Sequence, residues 1–263
     1  MTILVGILCT DGVVIGTDTV ATEADPDGDY TAEQPALKID VVRDKIIVAT
    51  TGEVGLGQRF VAHVDHLAPR FAEKTPLEAA ALLTAEVYGD FRATGAFTEV
   101  VEESPDGKRK AIGTRFGVGA LVAFAYRNQP QLVEFASGSL QPEVKGAHIS
   151  PFASMGSGKR FADPFLGFVR RAFSPDGTPK LATATFLTML TLDHVIDVCA
   201  GGGIGGAPRL ATVRDLGDGV WRVHELTDEE LDEHREMVQS AYAHIAGFET
   251  AFLAGGKAKV PLV

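Results

Sequence analysis

Thr2 is a residue near the start of the chain whose side chain could act as a nucleophile. If Met1 is removed, Thr2 carries both its hydroxyl and a free α-amine. An α-amine has a pKa of about 7.7–8.0, so part of it is unprotonated at neutral pH and can act as a base. A threonine hydroxyl with its own terminal amine is a known nucleophile and base pair. The sequence therefore makes Thr2 a candidate for nucleophilic catalysis.

The residues after Thr2 are typical of an antiparallel hairpin. An apolar run over 3–9 meets the turn signal Thr10-Asp11-Gly12, and a second apolar run ends at Asp18. This order resembles the start of a mature proteasome β-type subunit and of its bacterial relatives, the peptidase subunit of the HslUV protease and the Anbu-like proteins. Many β-rich domains also open with a hairpin, so the hairpin by itself leaves an ordinary structural role open.

The resemblance implies roles for Asp18, Lys38 and Gly52. In the family, an aspartate after the second strand holds a lysine. The ammonium group of that lysine, if it lies near the terminal α-amine of Thr2, would lower the pKa of the α-amine. Lys38 is the candidate and Lys45 the alternative, although a lone strand lysine usually faces solvent. Gly52 lies 14 residues after Lys38, the family's distance to the glycine whose N–H points into the oxyanion hole, and only 7 after Lys45. The alternative for Gly52 is that it merely ends a strand.

Two later motifs extend the resemblance. Met155-Gly156-Ser157-Gly158 resembles the motif before the third helix of the family, whose serine hydrogen-bonds the terminal amine, so Ser157 is implied in that role. The alternative interpretation of this motif is an ordinary turn with a helix cap. Asp197 resembles the HslV-type aspartate that completes the site beside the amine. The family's following serine is missing and the next glycine-rich turn looks longer, which leaves the role of Asp197 open.

Hydrophobic periodicity predicts the elements that must position these residues. Strands are expected over 37–41, 45–51, 116–126, 131–135, 209–214 and 220–226, and helices over about 52–71, 75–88, 159–172, 181–198 and 227–246. Capping boxes at Thr75 and Thr227 mark two of the helix starts. The segment 23–34 is predicted as a loop, and 95–110 as a long hairpin tip or surface insertion.

The resulting order is strands, two helices, strands, two helices, strands and a final helix. Each helix pair needs a sheet face to cover, and two stacked sheets between two helical layers provide those faces. The sequence therefore predicts an α+β fold. The resemblance implies the four-layer αββα sandwich of the N-terminal nucleophile (Ntn) hydrolases. We expect 1–263 to form a single proteasome-like domain with a C-terminal helical extension from about residue 227.

Composition excludes several classes of protein. The net charge of −11 argues against nucleic-acid binding, which needs clustered Lys and Arg. Cys9 and Cys199 are not in a C-x-x-C pair, so neither a disulfide framework nor a zinc knuckle is expected. Neither a membrane span nor a basic region typical of a signal peptide is recognised, so no membrane partner is expected and a cytoplasmic location is the simplest interpretation.

No cofactor or metal site is expected either. The glycines over 201–206 spell G-x-G-x-x-G, but after a helix and before a strand, the reverse of a dinucleotide site. The Gly-Ser-Gly motif fails as a phosphate loop because Ala153 stands where the first glycine is needed. His63 and His66 are three residues apart without a third ligand motif, which favours a solvated helix face.

The resemblance implies a threonine-type endopeptidase subunit of a self-compartmentalising protease that acts on peptides or unfolded proteins. Such subunits form rings, often with an ATP-dependent unfoldase attached, and we expect a homo-oligomeric ring. One alternative is a catalytically silent ring or scaffold protein, because a retained Met1 would turn the amine of Thr2 into an amide. A second alternative is a small-amide hydrolase with the same terminal nucleophile.

Overall fold

The computed structural model describes residues 1–24, 30–71, 73–103, 109–146, 150–175, 177–199, 203–217 and 219–253. The strands are β1 (Leu4–Leu8), β2 (Gly12–Thr17), β3 (Val20–Ala24), β4 (Tyr30–Pro35), β5 (Ile39–Val42), β6 (Ile46–Gly52), β7 (Thr98–Glu103), β8 (Arg109–Arg115), β9 (Val118–Tyr126), β10 (Gln129–Phe135), β11 (Pro142–Val144), β12 (Phe152–Met155), β13 (Arg209–Asp215) and β14 (Trp221–Glu225). The helices are α1 (Val54–Phe71), α2 (Pro76–Ala93), α3 (Lys159–Phe173), α4 (Leu181–Val198) and α5 (Asp228–Leu253).

Ten of these strands form two five-stranded sheets. The strand order is β12-β1-β2-β13-β14 in the first sheet and β11-β10-β9-β6-β5 in the second. All neighbouring strands are antiparallel. The pairs β3-β4 and β7-β8 form separate two-stranded sheets. Antiparallel sheets with five helices are compatible with the predicted α+β class.

The two large sheets share one buried cluster, and each carries a second cluster with its helices. Along β1, Leu4 and Leu8 belong to the cluster that joins the sheets, whereas Val5 and Ile7 pack with α3, α4 and α5. Side chains alternate between the faces of a strand, so β1 is apolar throughout because both of its faces are covered. On the second sheet, α1 and α2 pack against β9 and β10 in the remaining cluster.

Several predicted helix boundaries are confirmed. At the start of α2, Thr75 N–H donates to Glu78 Oε2 at 2.8 Å and Glu78 N–H donates to Thr75 Oγ1 at 3.3 Å. Thr227 and Glu230 make the same reciprocal pair before α5, at 2.8 and 3.3 Å. Each capping box satisfies backbone donors that have no partner within the helix. Helix α5 continues to Leu253, beyond the predicted end near 246.

Helix α4 corrects the expectation that no segment could span a membrane. By length and composition it is apolar enough to cross one, but 56% of it is buried inside the protein. It packs against the first sheet and against α3 and α5. Its apolar character is therefore explained by a core position, where a helix is covered on most sides.

Three local predictions need correction or addition. The predicted loop over 23–34 is wrong for residues 23–24 and 30–34, which belong to the paired strands β3 and β4, and residues 25–29 lie outside the described part of the chain. Of the two predictions for 95–110, the hairpin is confirmed rather than the surface insertion, because β7 pairs with β8; residues 104–108 lie outside the described residues. Strands β11 and β12 were not predicted. They are short, and β12 is ordered by pairing with β1 rather than by its own periodicity.

Candidate active site

The backbone of Thr2 lies between β1 and the turn that follows β12. The N–H of Thr2 donates to Ser157 Oγ at 3.2 Å, and its carbonyl accepts from Gly158 N–H at 3.1 Å. Strand pairing places this turn here, because Leu4 of β1 is opposite Met155 of β12. The structure therefore brings Ser157 to the nitrogen of Thr2, across 155 positions of sequence.

The glycines on either side of Ser157 permit this close approach. Gly156 has a φ of +86°, and a Cβ there would lie 2.2 Å from the carbonyl oxygen of Thr2. A Cβ at Gly158 would lie 2.9 Å from Cβ of Ile3. Only glycine combines a positive φ with backbone contact at this distance. The Gly-Ser-Gly sequence was the signal for this feature, although Gly156 and Gly158 themselves were not predicted as site residues.

Asp18 and Lys38 form a buried ion pair beside Thr2. Lys38 Nζ donates to Asp18 Oδ1 at 2.7 Å and to the carbonyl of Val20 at 2.6 Å. The Asp18 side chain is fully buried and that of Lys38 is 8% exposed. Burying charges is unfavourable unless each is paired and hydrogen-bonded, so the additional contacts of both groups are needed to hold the pair.

Backbone N–H groups complete the surroundings of Asp18. Ile3 N–H donates to Oδ1 at 2.9 Å, and Gly205 N–H donates to Oδ2 at 3.4 Å. The carboxylate thus ties the residue after Thr2 to the glycine-rich turn before β13 and holds Lys38 at the same time. Asp18 can serve this role because it follows the last residue of β2, next to the start of β1.

Burial, modified by the nearby charges, lowers the pKa values of two cations in this region. Burial lowers the pKa of Lys38, and the attraction of Asp18 opposes that shift. Burial, followed by the positive charge of Lys38, lowers the pKa of the amine of Met1, while Asp18 and Glu33 oppose it. The surroundings of the chain start therefore favour an unprotonated amine.

While Met1 is attached, the nitrogen of Thr2 is a peptide amide. The Thr2 hydroxyl donates to the carbonyl of Met1 at 2.7 Å, and Lys38 Nζ donates to the same oxygen at 3.3 Å. The amine of Met1 donates to Thr22 Oγ1 at 3.1 Å. An amide nitrogen has no basic lone pair, so in this form the hydroxyl of Thr2 has no adjacent amine base.

Gly52 is the last residue of β6 and lines a cavity of about 210 Å³. Thr2 and Lys38 line the same cavity. Gly52 has a φ of +103°, and a Cβ there would lie 2.0 Å from the carbonyl oxygen of Gly117. Glycine is required at this position for the backbone to turn from β6 into α1. The remaining lining residues are Met1, Ala21, Thr22, Ala36, Leu37, Asp40, Thr50, Thr51, Glu53, Val54 and Gln58.

Asp197 lies apart from this group. It is exposed at the end of α4, and among the described residues no hydrogen bond joins it to Thr2. Its charge instead acts on α5: burial, Asp193 and Asp197 together raise the pKa of Tyr242 to about 12. Lys45, the alternative to Lys38, is exposed before β6, at the end of that strand opposite Gly52.

The glycine-rich turn supports the site in a way that sequence reasoning missed. Thr22 Oγ1 donates to the carbonyl of Gly203 at 3.0 Å, and Thr19 N–H donates to the carbonyl of Gly205 at 3.0 Å. Gly203 and Gly206 have φ values of +71° and +76°, and a Cβ at either would lie within 2.5 Å of a threonine Oγ1. The turn therefore packs against Thr19, which follows Asp18, and against Thr22 of β3. Gly201 and Gly202 lie outside the described residues.

The part of the chain that the structure describes holds no group of three or more His, Cys, Asp and Glu side chains that could bind a metal ion. Of the two predicted helix histidines, His63 contacts Asp90 Oδ2 at 3.1 Å, next to Arg59. This cluster links α1 to α2. The groups beside Thr2 are its own hydroxyl, the hydroxyl of Ser157, the buried Lys38–Asp18 ion pair and backbone donors.

The chain is 28% identical over 144 residues to a proteasome subunit beta of Archaeoglobus fulgidus. The match covers 53% of this chain and 63% of that protein, so the chain spans less than two thirds of the relative's length. No protein-family model matches the chain. The similarity supports a distant proteasome-like relationship.

Proposed function

We propose that this protein is a threonine peptidase of the proteasome type, in which removal of Met1 makes Thr2 the N-terminal nucleophile. The observation that carries the proposal is the convergence on Thr2 of Ser157, 3.2 Å from its nitrogen, and Lys38, which shares the carbonyl of Met1 with the Thr2 hydroxyl. We further propose that the two sheets and their helices are the αββα sandwich of the Ntn hydrolases, and that residues 1–263 form one such domain.

In the proposed reaction, Thr2 Oγ attacks the carbonyl carbon of a peptide bond, and its proton passes to the free amine of Thr2. Collapse of the tetrahedral intermediate releases the amine product, which takes up that proton, and leaves an ester on Thr2 Oγ. Water then hydrolyses this ester and regenerates the hydroxyl. Thr2 is thus both nucleophile and base, so no second catalytic base is required.

The surrounding residues have separate roles in this mechanism. Lys38 lowers the pKa of the amine and stabilises the developing alkoxide, and Asp18 holds Lys38 in place. The N–H of Gly52 donates to the oxyanion, and Ser157 orients the amine. Asp197 is exposed on α4, so the proposal gives it no contact with the amine.

The assembly and partners are proposed on the basis of the proteasome-like relationship. We propose a ring of copies of this chain that encloses the Thr2 sites and receives peptides or unfolded polypeptides, with an ATP-driven unfoldase as a further partner. A cytoplasmic location follows from that function. In this arrangement α5, which begins at Asp228, forms the C-terminal helical extension.

A second candidate, a ring or scaffold protein without catalysis, corresponds to the form of the chain that keeps Met1. With Met1 retained, the hydroxyl of Thr2 is engaged by the preceding carbonyl and its nitrogen is an amide. A protein that keeps Met1 lacks the base on which the mechanism depends. The two candidates therefore differ in one covalent bond, which can be measured directly.

The test is the intact mass of the purified protein before and after incubation with a peptide epoxyketone, which reacts with a free terminal amine and its adjacent hydroxyl. We expect loss of Met1 and one adduct per chain. Thr2→Ala should form no adduct and lose peptide hydrolysis, whereas Thr10→Ala, in the exposed β1–β2 turn, should behave as wild type. A protein that retains Met1 and forms no adduct would overturn the proposal in favour of the scaffold.

A further inference from the structure

A second and larger cavity lies at the far end of the domain from Thr2. We call it the distal cavity; its volume is about 440 Å³, against about 210 Å³ beside Thr2. It is lined by Lys45, Ile46, Ala68, Phe71, Phe124, Ala125, Arg127, Asn128, Gly219, Val220, Trp221 and Arg222. Ile46 and Gly52 are the two ends of β6, so the two cavities are separated by about 20 Å, the length of a seven-residue strand.

The inner surface of the distal cavity is apolar and aromatic. Ile46, Phe71 and Phe124 are buried core residues, and the rings of Phe71 and Phe124 lie 5.8 Å apart. The indole ring of Trp221 adds a further apolar surface from β14. Ligand cavities are commonly 300–1,000 Å³ and mostly apolar, so the size and lining suit the hydrocarbon part of a small molecule.

The polar groups of the lining are donors rather than acids. Lys45, Arg127 and Arg222 contribute three cations, and no lining residue in the described part of the chain is an aspartate or glutamate. None of the three has a carboxylate within 4.0 Å among the described residues. On a chain with a net charge of −11, three cations that lack a carboxylate partner among the described residues make the region of this cavity locally positive, which favours an anion.

The position of one of the cations is set by a hairpin turn. Arg127 and Asn128 form the two-residue β9–β10 turn with φ values of 49° and 58°, the usual geometry of a type I′ hairpin turn. The turn thereby places a guanidinium at the cavity.

We propose that the distal cavity binds a small amphipathic carboxylate, with an aliphatic or aromatic body against Phe71, Phe124 and Trp221 and its carboxylate among Lys45, Arg127 and Arg222. Arginine recognises carboxylates through paired hydrogen bonds, and lysine adds a point charge. The site is independent of Thr2 and of any peptidase activity.

Trp221 is the chain's single tryptophan, so its fluorescence reports on this site alone. The full-length protein is titrated with octanoate, with its neutral analogue octanamide and with octylamine. We expect a saturable change in emission with octanoate, binding at least about tenfold weaker with octanamide because the ion pairs are lost, and none with octylamine. The Thr2→Ala variant should bind octanoate as wild type does, which separates this site from the proposed peptidase.

Substitutions of lining residues test whether the ligand binds in the distal cavity. Arg127→Gln and Arg222→Gln should each weaken octanoate binding by about tenfold, whereas Arg171→Gln, exposed on α3 and outside the lining, should leave it unchanged. Circular dichroism checks that each variant is folded. Calorimetry is a second measurement in case binding leaves the emission unchanged. Absence of binding by both methods, equal affinity for octanoate and octanamide, or unchanged binding in both cavity variants would each overturn the proposal.

Discussion

Lys38 Nζ lies 2.7 Å from Oδ1 of Asp18, in an ion pair that is almost completely buried. The same carboxylate accepts from Ile3 N–H, and the same ammonium donates to the carbonyl of Met1. The pair is therefore joined to the backbone on both sides of Thr2. Its disruption should affect the fold as well as the chemistry at Thr2.

A double-mutant cycle tests this coupling. Asp18→Asn leaves the Lys38 ammonium buried without its counter-ion. Lys38→Met likewise leaves the Asp18 carboxylate buried without a counter-ion. Each single variant should lose about 3–5 kcal/mol of unfolding free energy, the usual effect of breaking a buried pair from one side. The double variant should lose less than the sum, with a coupling of about 0.5–3 kcal/mol. Urea denaturation measures all four proteins, and additive losses would contradict a direct interaction.

The glycine that ends β6 provides a second prediction. Gly52→Ala forces a side chain onto the carbonyl of Gly117 at a positive φ, so it should lose about 1–3 kcal/mol of stability and reduce peptide hydrolysis. Gly89→Ala is the matched control, because a Cβ in the middle of α2 meets nothing within 4 Å. It should gain up to about 1 kcal/mol from the higher helix propensity of alanine. Equal denaturation midpoints for the two variants would show that the backbone at Gly52 is not restrained.

The pH dependence of peptide hydrolysis gives a third prediction. Burial and Lys38 lower the pKa of the amine at the chain start, and we expect the same surroundings to lower the pKa of the Thr2 amine once Met1 is removed. Because the unprotonated amine is the base, kcat/KM should fall with acidification, with a midpoint below the ordinary value of 8.0.

Glu33 allows the sign of that effect to be tested without altering the proposed catalytic residues. Its carboxylate raises the pKa of the amine at the chain start, and it is exposed. Glu33→Gln should therefore move the acid limb of the pH profile to lower pH, and added salt should reduce the difference from wild type because exposed charges are screened. A shift of the limb to higher pH would contradict the proposed electrostatics.

Much of the candidate site could be predicted because its signals are local or lie in short motifs. The hairpin after Thr2, Asp18 at its end, and the Gly-Ser-Gly turn are each contained within a few residues. The capping boxes at Thr75 and Thr227 are equally local, since the reciprocal bonds span three residues. Such features depend on backbone geometry close in sequence, which residue type largely determines.

Other features depended on contacts between distant segments. β12 has four residues and takes its place from pairing with β1, so its own sequence contains little evidence of it. The predicted loop over 23–34 proved to include the end of β3 and most of β4, because strand pairing satisfies backbone groups whatever the side chains are. The support that Gly203 and Gly206 give to Thr22 and Thr19 likewise has no local signal.

The sequence by itself determined the types of residue available for chemistry, the apolar strands and the helix starts, because these follow from side-chain chemistry and short-range geometry. The tertiary structure alone decided which groups meet. It placed Ser157 at the nitrogen of Thr2, left Asp197 exposed on α4, and brought Trp221 and three cations to the lining of a second cavity. These outcomes depend on strand order and sheet packing, in which residues far apart in the chain compete for the same neighbours.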